Sequence, residues 1–245
     1  MTWTTYILRS ATRSKRRSFL TAASVGMSIF LLVTLLTLLR ELTTPVETSA
    51  SVRRLVVRHR AGLTNDLPAR YMDTLKQMPE LQYVTPLTWF GGIYIDASNF
   101  FPRFAVDPNN IFDVLPELSI DPEQLAAFKR QTNAAVIGEK LVADFGLKVG
   151  DQMRIVGDIY PVTLELDIVG ICKLDAFEGL DNRVFFNQQY LNDLLGSSDR
   201  VGTVWVVVRD EKQIPQVVEA IDSRFANTEA ETLTQSEKEF QLGFI

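Results

Sequence analysis

Asp175, Glu178 and Asp181 are the residues whose type and spacing come nearest to chemistry, because three carboxylates on one loop could ligate a divalent cation through oxygen. They lack the EF-hand spacing, so a solvated acidic loop is the competing reading. His59 is the single histidine and Cys172 the single cysteine. One histidine with one cysteine rules out a Cys/His zinc cluster, and one cysteine rules out an intramolecular disulfide. His59, between Arg58 and Arg60, reads as an exposed strand residue; Cys172, following Val169, Gly170 and Ile171, reads as a small buried hydrophobe. The sequence contains no GxxxxGK[ST] loop for nucleotide phosphates and no GxSxG, HExxH or SxxK site. No catalytic, cofactor-binding or metal-binding residue is therefore expected, and no enzyme.

The elements that would carry such residues divide sharply by composition. Apolar residues make up 46% of the 245 and charged residues 22%, an ordinary globular balance, so the membrane character is local. It lies in Phe19 to Leu39, a run of 21 residues without a charge. At about 1.5 Å per residue this spans roughly 31 Å, the thickness of a hydrocarbon core. Twelve of the 21 are Leu, Ile, Val or Phe, which favours insertion.

Five cations and no acid precede the run: Arg9, Arg13, Lys15, Arg16 and Arg17. The positive-inside rule leaves this basic anchor in the cytoplasm and sends the remainder outward. From Arg40 onward 20 Lys and Arg face 30 Asp and Glu, a net charge of −10 that argues against nucleic-acid binding. A cleaved signal peptide is the alternative, but its apolar region runs about 7 to 15 residues and ends at a small-residue site. Here the run is longer and Arg40-Glu41 follows it. Ala22 with Gly26, and Ser24 with Ser28, have the small-xxx-small spacing that admits a second membrane helix. The same residues also suit a lone anchor. Upstream, Trp3, Tyr6, Ile7, Ser10 and Ala11 fall at helical spacing, consistent with a short helix on the cytoplasmic membrane surface or with a plain basic tail.

Beyond the membrane helix the pattern is α+β. Val52 to Arg60 reads as a strand, Pro68 to Met78 as a helix and Leu81 to Trp89 as a strand. Val204 to Val208, Ile214 to Phe225 and Ala230 to Leu233 repeat the arrangement. Two such units separated by a long insert predict a split β-α-β domain over 50–90 and 203–235, interrupted by a mostly-β subdomain over 91–202. Within the insert, Ile93 to Ile95, Phe104 to Val106, Ala134 to Ile137 and Arg183 to Phe186 read as strands. Asp121 and Asn187 read as helix caps, Gly146 as a helix stop, and Gln152–Val156 with Val162–Cys172 as a hairpin. Thr234 and Glu237 read as a capping box opening a last helix over 236–245.

Three stretches carry a resemblance to the MacB-like ABC transporter permeases, the group that includes the LolC/LolE lipoprotein-releasing permeases and FtsX. The first is Lys15 to Thr21 running into the membrane helix. The second and most specific is Ile137 to Asp151, similar to the family's "G-x-x-L-A…L-x-V-G-D", followed by Leu166 to Ile171, similar to its return strand "F-x-V-V-G-I". The third is Thr232 to Ile245, which in the family leads to a second membrane helix. The resemblance implies a porter-like periplasmic domain with a β-rich insert in the inner membrane of a bacterium. It also implies an ABC ATPase partner and, further, a second permease copy and a periplasmic adaptor. Family members continue into three more membrane helices, so the expectation is a truncated or split permease. The functional reading is a non-catalytic permease subunit coupling a partner's ATP hydrolysis to motion of the outer domain; the alternative is a single-span anchored binding or scaffold module of the envelope.

Overall fold

The computed structural model describes Trp3 and residues 14–43, 50–174 and 181–243. It forms two units, Met1–Val46 with Gln241–Ile245, and Glu47–Phe240. The first holds α1, Lys15–Thr43. Lys15–Arg40 is long and apolar enough to cross a membrane. Leucines and other large apolar side chains face outward on every side of α1, which fits a helix solvated by lipid.

The second unit is built on a mixed sheet. In chain order its strands are β1 (Arg54–His59), β2 (Leu67–Pro68), β3 (Leu81–Trp89), β4 (Gly92–Ile93), β5 (Arg103–Val106), β6 (Leu118–Ser119) and β7 (Ala134–Gly138). They continue with β8 (Gln152–Gly157), β9 (Thr163–Leu174), β10 (Val184–Asn187), β11 (Arg200–Val201), β12 (Thr203–Val208) and β13 (Thr232–Ser236). The helices are α2 (Arg70–Lys76), α3 (Ile111–Val114), α4 (Pro122–Arg130), α5 (Glu139–Phe145), α6 (Gln188–Leu194), α7 (Ile214–Arg224) and α8 (Glu237–Leu242).

The main sheet runs β13-β1-β12-β3-β5-β10-β7-β9-β8-β4, with β6 joined to β9. β12 lies between β1 and β3 and is antiparallel to both, so β1-α2-β3 is a split β-α-β unit. β1 likewise separates β12 from β13, making β12-α7-β13 a second one interlocked with the first. Strand alternation then sorts the core. Leu55 and Val57 of β1 join Val204, Val206 and Val208 of β12 beneath α2 and α7. Ala135, Ile137, Val184 and Phe186 face the same way further along, beneath α5 and α6. The opposite face is one continuous cluster from Trp205 and Val56 to Val136 and Phe185, covered by α3 and α4.

Local chemistry fixes the ends. Asp121 Oδ1 accepts from the Glu123 and Gln124 amides at 2.9 and 3.2 Å with Pro122 at the first helical position, and Asn187 Oδ1 caps α6 from Gln189 at 2.9 Å. Gly146 ends α5 at φ 66°.

Several boundaries differ from the sequence reading. Pro68 does not open α2: it pairs with Arg200 in the two-stranded sheet, and the helix starts at Arg70. The strand at Ile93 stops there, because Ile95 turns into the left-handed region at φ 62°, a conformation a β-branched residue adopts only at a sharp turn. The last strand starts at Thr232 rather than Ala230. The last capping box is displaced by two residues. Ser236 Oγ accepts from the Glu239 amide at 3.2 Å while Glu239 Oε2 accepts from the Ser236 amide at 3.0 Å. Thr234 instead donates to Asp222 Oδ1 at 2.7 Å, fastening β13 to α7.

Candidate functional site

The residues singled out for chemistry do not converge. Asp175 and Glu178 lie outside the described residues; Asp181 contributes its carbonyl, which accepts from the Lys140 amide at 3.1 Å. Among the described residues no group of three His, Cys, Asp or Glu is placed to hold a metal. His59 Nδ1 accepts from the Ala61 amide at 3.0 Å, closing a local turn. Cys172 is buried, and burial pushes its thiol up to about 12, so it is not a thiolate at neutral pH.

On α1, Lys15, Arg16 and Arg17 form the first turn, while Arg9 and Arg13 lie outside the described residues, as does the proposed surface helix apart from Trp3. Ala22 with Gly26 and Ser24 with Ser28 do not form one stripe: at about 100° per residue the pairs point roughly 200° apart. A Cβ at Gly26 would meet nothing within 4 Å among the described residues, and the Ser28 hydroxyl folds back onto the Ser24 carbonyl at 3.0 Å.

A buried charged site lies where the sequence reading expected none. Arg54, 3% exposed, sits at the start of β1 on the face it shares with Val56. Its Nη1 and Nη2 donate to Glu117 Oε2 and Oε1 at 2.8 and 2.9 Å, its Nη1 to the Val114 carbonyl at 2.8 Å, and its Nε to Glu237 Oε2 at 2.6 Å. All three donor nitrogens are thereby used, the condition for burying a guanidinium. Arg183, within the field of Glu237 and Arg54, completes the charge balance: two cations face two carboxylates.

Burial disfavours the charge on Arg54, Arg183 and Glu237. It pulls the Arg183 guanidinium down to about 10, with the field of Glu237 acting the other way. Burial also opposes the Arg54 charge, but the hydrogen bonds and fields of Glu117 and Glu237 outweigh it and hold Arg54 above its ordinary value. Glu237 moves the other way: burial raises its carboxyl above the usual range despite Arg54. The two partners differ because Arg54 meets two carboxylates, whereas Glu237 shares one guanidinium with Glu117. The signal for this site was weak. Arg54 and Arg58 both flank Leu55-Val56-Val57, and only the tertiary cover distinguishes them: Arg54 is closed in by α3 and α8, while Arg58 reaches the half-buried Gln235 at 2.9 Å.

A second polar contact joins distant loops. Tyr160, between β8 and β9, reaches Asp66, between β1 and β2, whose backbone carbonyl also accepts from Arg200 at 3.5 Å.

Comparison with known proteins decides the family. Residues 18–224 match the MacB-like periplasmic core domain, which covers most of the chain and includes the whole of the apolar run. The chain belongs to the MacB-like periplasmic core domain family. The periplasmic region of MacB from Actinobacillus actinomycetemcomitans aligns with a TM-score of 0.54 and 13% identity over 78% of this chain and 92% of that one. The extracellular domain of the noncanonic ABC-type transporter YknZ from Gram-positive bacteria gives 0.53 and 12% over 74% and 99%. At such identities the likeness is one of fold. No curated protein matches the sequence.

Within this MacB-like domain the glycines of the resembling stretch have physical reasons. A Cβ at Gly138 would overlap the backbone carbonyl of Asp181. Gly150, at φ 97°, lets its amide donate to the Ile168 carbonyl at 2.8 Å, while the Ile168 amide donates to Asp151 at 2.9 Å. At Gly170 the α4 residue Gln124 approaches closely, and its Oε1 accepts from the Ile171 amide at 2.9 Å beside the β7/β9 irregularity.

Proposed function

We propose that the chain is the membrane-anchored, non-catalytic component of an ABC-type export system, in which a partner ATPase drives motion of the outer domain. The observation that carries this is a single family match running from Ser18 through the apolar run and across the folded domain. This sequence has no GxxxxGK[ST] loop, so nucleotide hydrolysis falls to the partner. The cations Arg9, Arg13, Lys15, Arg16 and Arg17 support an N-terminus in the cytoplasm and a domain in the periplasm, anchored in the inner membrane. Ala22 with Gly26, or Ser24 with Ser28, offers packing for further membrane helices or a second permease copy, and the outer domain offers surface to a periplasmic adaptor. In this reading residues 50–90 with 203–235 act as a porter-like lobe and residues 91–202 as an inserted lobe.

Affinity purification of the tagged full chain from its native membranes, with mass spectrometry of what accompanies it, tests the proposal. A P-loop ATPase is expected in comparable amount, and deletion of the chain should abolish the export that ATPase drives. A chain that purifies alone, with export unchanged by its deletion, would establish the anchored binding or scaffold module instead.

A further inference from the structure

Arg54 opens β1, the first strand after α1, and Glu237 opens α8, the last described helix. β1 and β13 are antiparallel neighbours with Leu55 opposite Ser236, so the segments leading into and out of the folded domain meet at one end of this strand pair. One guanidinium joins them, but it does not hold them equally. Glu117 takes two hydrogen bonds in a fork at 2.8 and 2.9 Å and the Val114 carbonyl takes a third, whereas Glu237 meets the guanidinium through Nε alone.

That inequality defines which contact can open. If α8 departs, Arg54 keeps a bidentate carboxylate and a carbonyl, and the loss of Glu237 falls on the field at Arg183 rather than on the hydrogen bonds that hold Arg54 in place. Glu237 meanwhile regains water and recovers the hydration that burial had cost it. An apolar plug in the same place would expose its surface on leaving and gain nothing. Stability alone does not require charge here, since well-packed apolar residues replace buried ion pairs without loss in many proteins. α8 has six residues, too few to stay helical unaided, so its seat depends on side chains. Besides Glu237 these include Phe240, whose ring meets Trp205 edge-on at 6.3 Å, and the Ser236–Glu239 cap.

We propose that Arg54, fixed by Glu117, is a post to which α8 latches through Glu237, so that α8 can swing off and reseat without unseating the sheet. That this movement passes motion between the outer domain and the membrane part rests on the permease reading above.

Hydrogen exchange with mass spectrometry, on the full chain in detergent with no partner present, tests the latch separately from that reading. Glu237→Ala removes the acceptor and leaves the Arg54 Nε unmet. The amides of 237–243 should then exchange about tenfold faster, as expected for one lost charge-assisted hydrogen bond, with β1 and β12 unchanged. Glu237→Gln keeps an acceptor and should restore slow exchange. Unchanged exchange of α8 in the alanine variant overturns the latch, as does equal loosening of β1 and β12, or failure of glutamine to restore protection. Co-purification of the ATPase is unaffected by any of these results and judges the permease reading by itself.

Discussion

The phenolic hydroxyl of Tyr160 lies 3.3 Å from both carboxylate oxygens of Asp66, although 94 residues separate them. The contact ties the β8–β9 connection to the β1–β2 connection. Burial raises the Asp66 carboxyl above its ordinary value, and the Tyr160 hydrogen bond and the Arg200 charge only partly offset it. Tyr160→Phe deletes the donor and should cost about 1 kcal/mol near neutral pH, with Asp66 raised further. A group raised in the folded state adds stability that is complete below its unfolded value and is lost as pH rises through the folded one. Thermal melts should therefore show the mutant's deficit shrinking on acidification, as Asp66 takes up its proton in both proteins.

The Arg54 site predicts an asymmetry between partners. Arg54→Met strands Glu117 and Glu237 in a buried setting without their shared cation, and should cost about 3 to 5 kcal/mol in a denaturant titration of the full chain. Glu237→Gln leaves Arg54 with Glu117 and an acceptor on Nε, and should stay within about 1 kcal/mol of the parent. Because Glu237 is raised by burial, its contribution is present below the unfolded carboxylate range and disappears as pH rises through the folded value. The parent should gain on Glu237→Gln as the pH is lowered from neutral toward the ordinary carboxylate range. Equal losses from both substitutions would contradict the unequal sharing of the guanidinium.

How far the sequence led can be judged from single residues. Asp121, Gly146 and Asn187 act over a few positions, so their roles as caps and stop are legible in the residue order itself. The apolar run of Val204 to Val208 marks the central strand, and the paired β-α-β pattern marks the split sheet. The register error at Thr234 has a plain cause. Thr234-x-x-Glu237 and Ser236-x-x-Glu239 satisfy the same local pattern, and only the pull of Asp222 on Thr234 and of Arg54 on Glu237 separates them. Long-range contacts of that kind leave no periodic trace. Arg54 was opaque for the same reason: an arginine beside three apolar residues looks alike whether water or two glutamates lie opposite.

The glycine positions separate steric from conformational need. Gly138→Ala would drive its methyl into the Asp181 carbonyl, so the backbone between β7 and the residues preceding β10 must move. A loss of about 2 to 3 kcal/mol is expected. Gly146 has open space around it and needs only its positive φ of 66°, so Gly146→Ala should lose about 1 kcal/mol. Denaturant midpoints of the two variants give the order directly; a larger loss at Gly146 would refute the overlap at Gly138.

The membrane helix supplies the last prediction. Ala22 with Gly26 and Ser24 with Ser28 point roughly 200° apart, so one partner helix cannot use both pairs. A Cβ at Gly26 would meet nothing within 4 Å among the described residues, so a large side chain there probes a neighbouring helix. If a neighbouring membrane helix packs on Ala22 and Gly26, Gly26→Leu should separate it while Ser24→Leu leaves association intact; packing on Ser24 and Ser28 reverses the pattern. Fluorescence energy transfer between labelled copies, and co-purification of membrane partners, read the two cases with the fold of the outer domain as an internal control. Association that survives both substitutions would assign α1 to lipid alone. The small residues would then be ordinary members of an anchor, and the proposed coupling would have to pass through the ends of the helix rather than its sides.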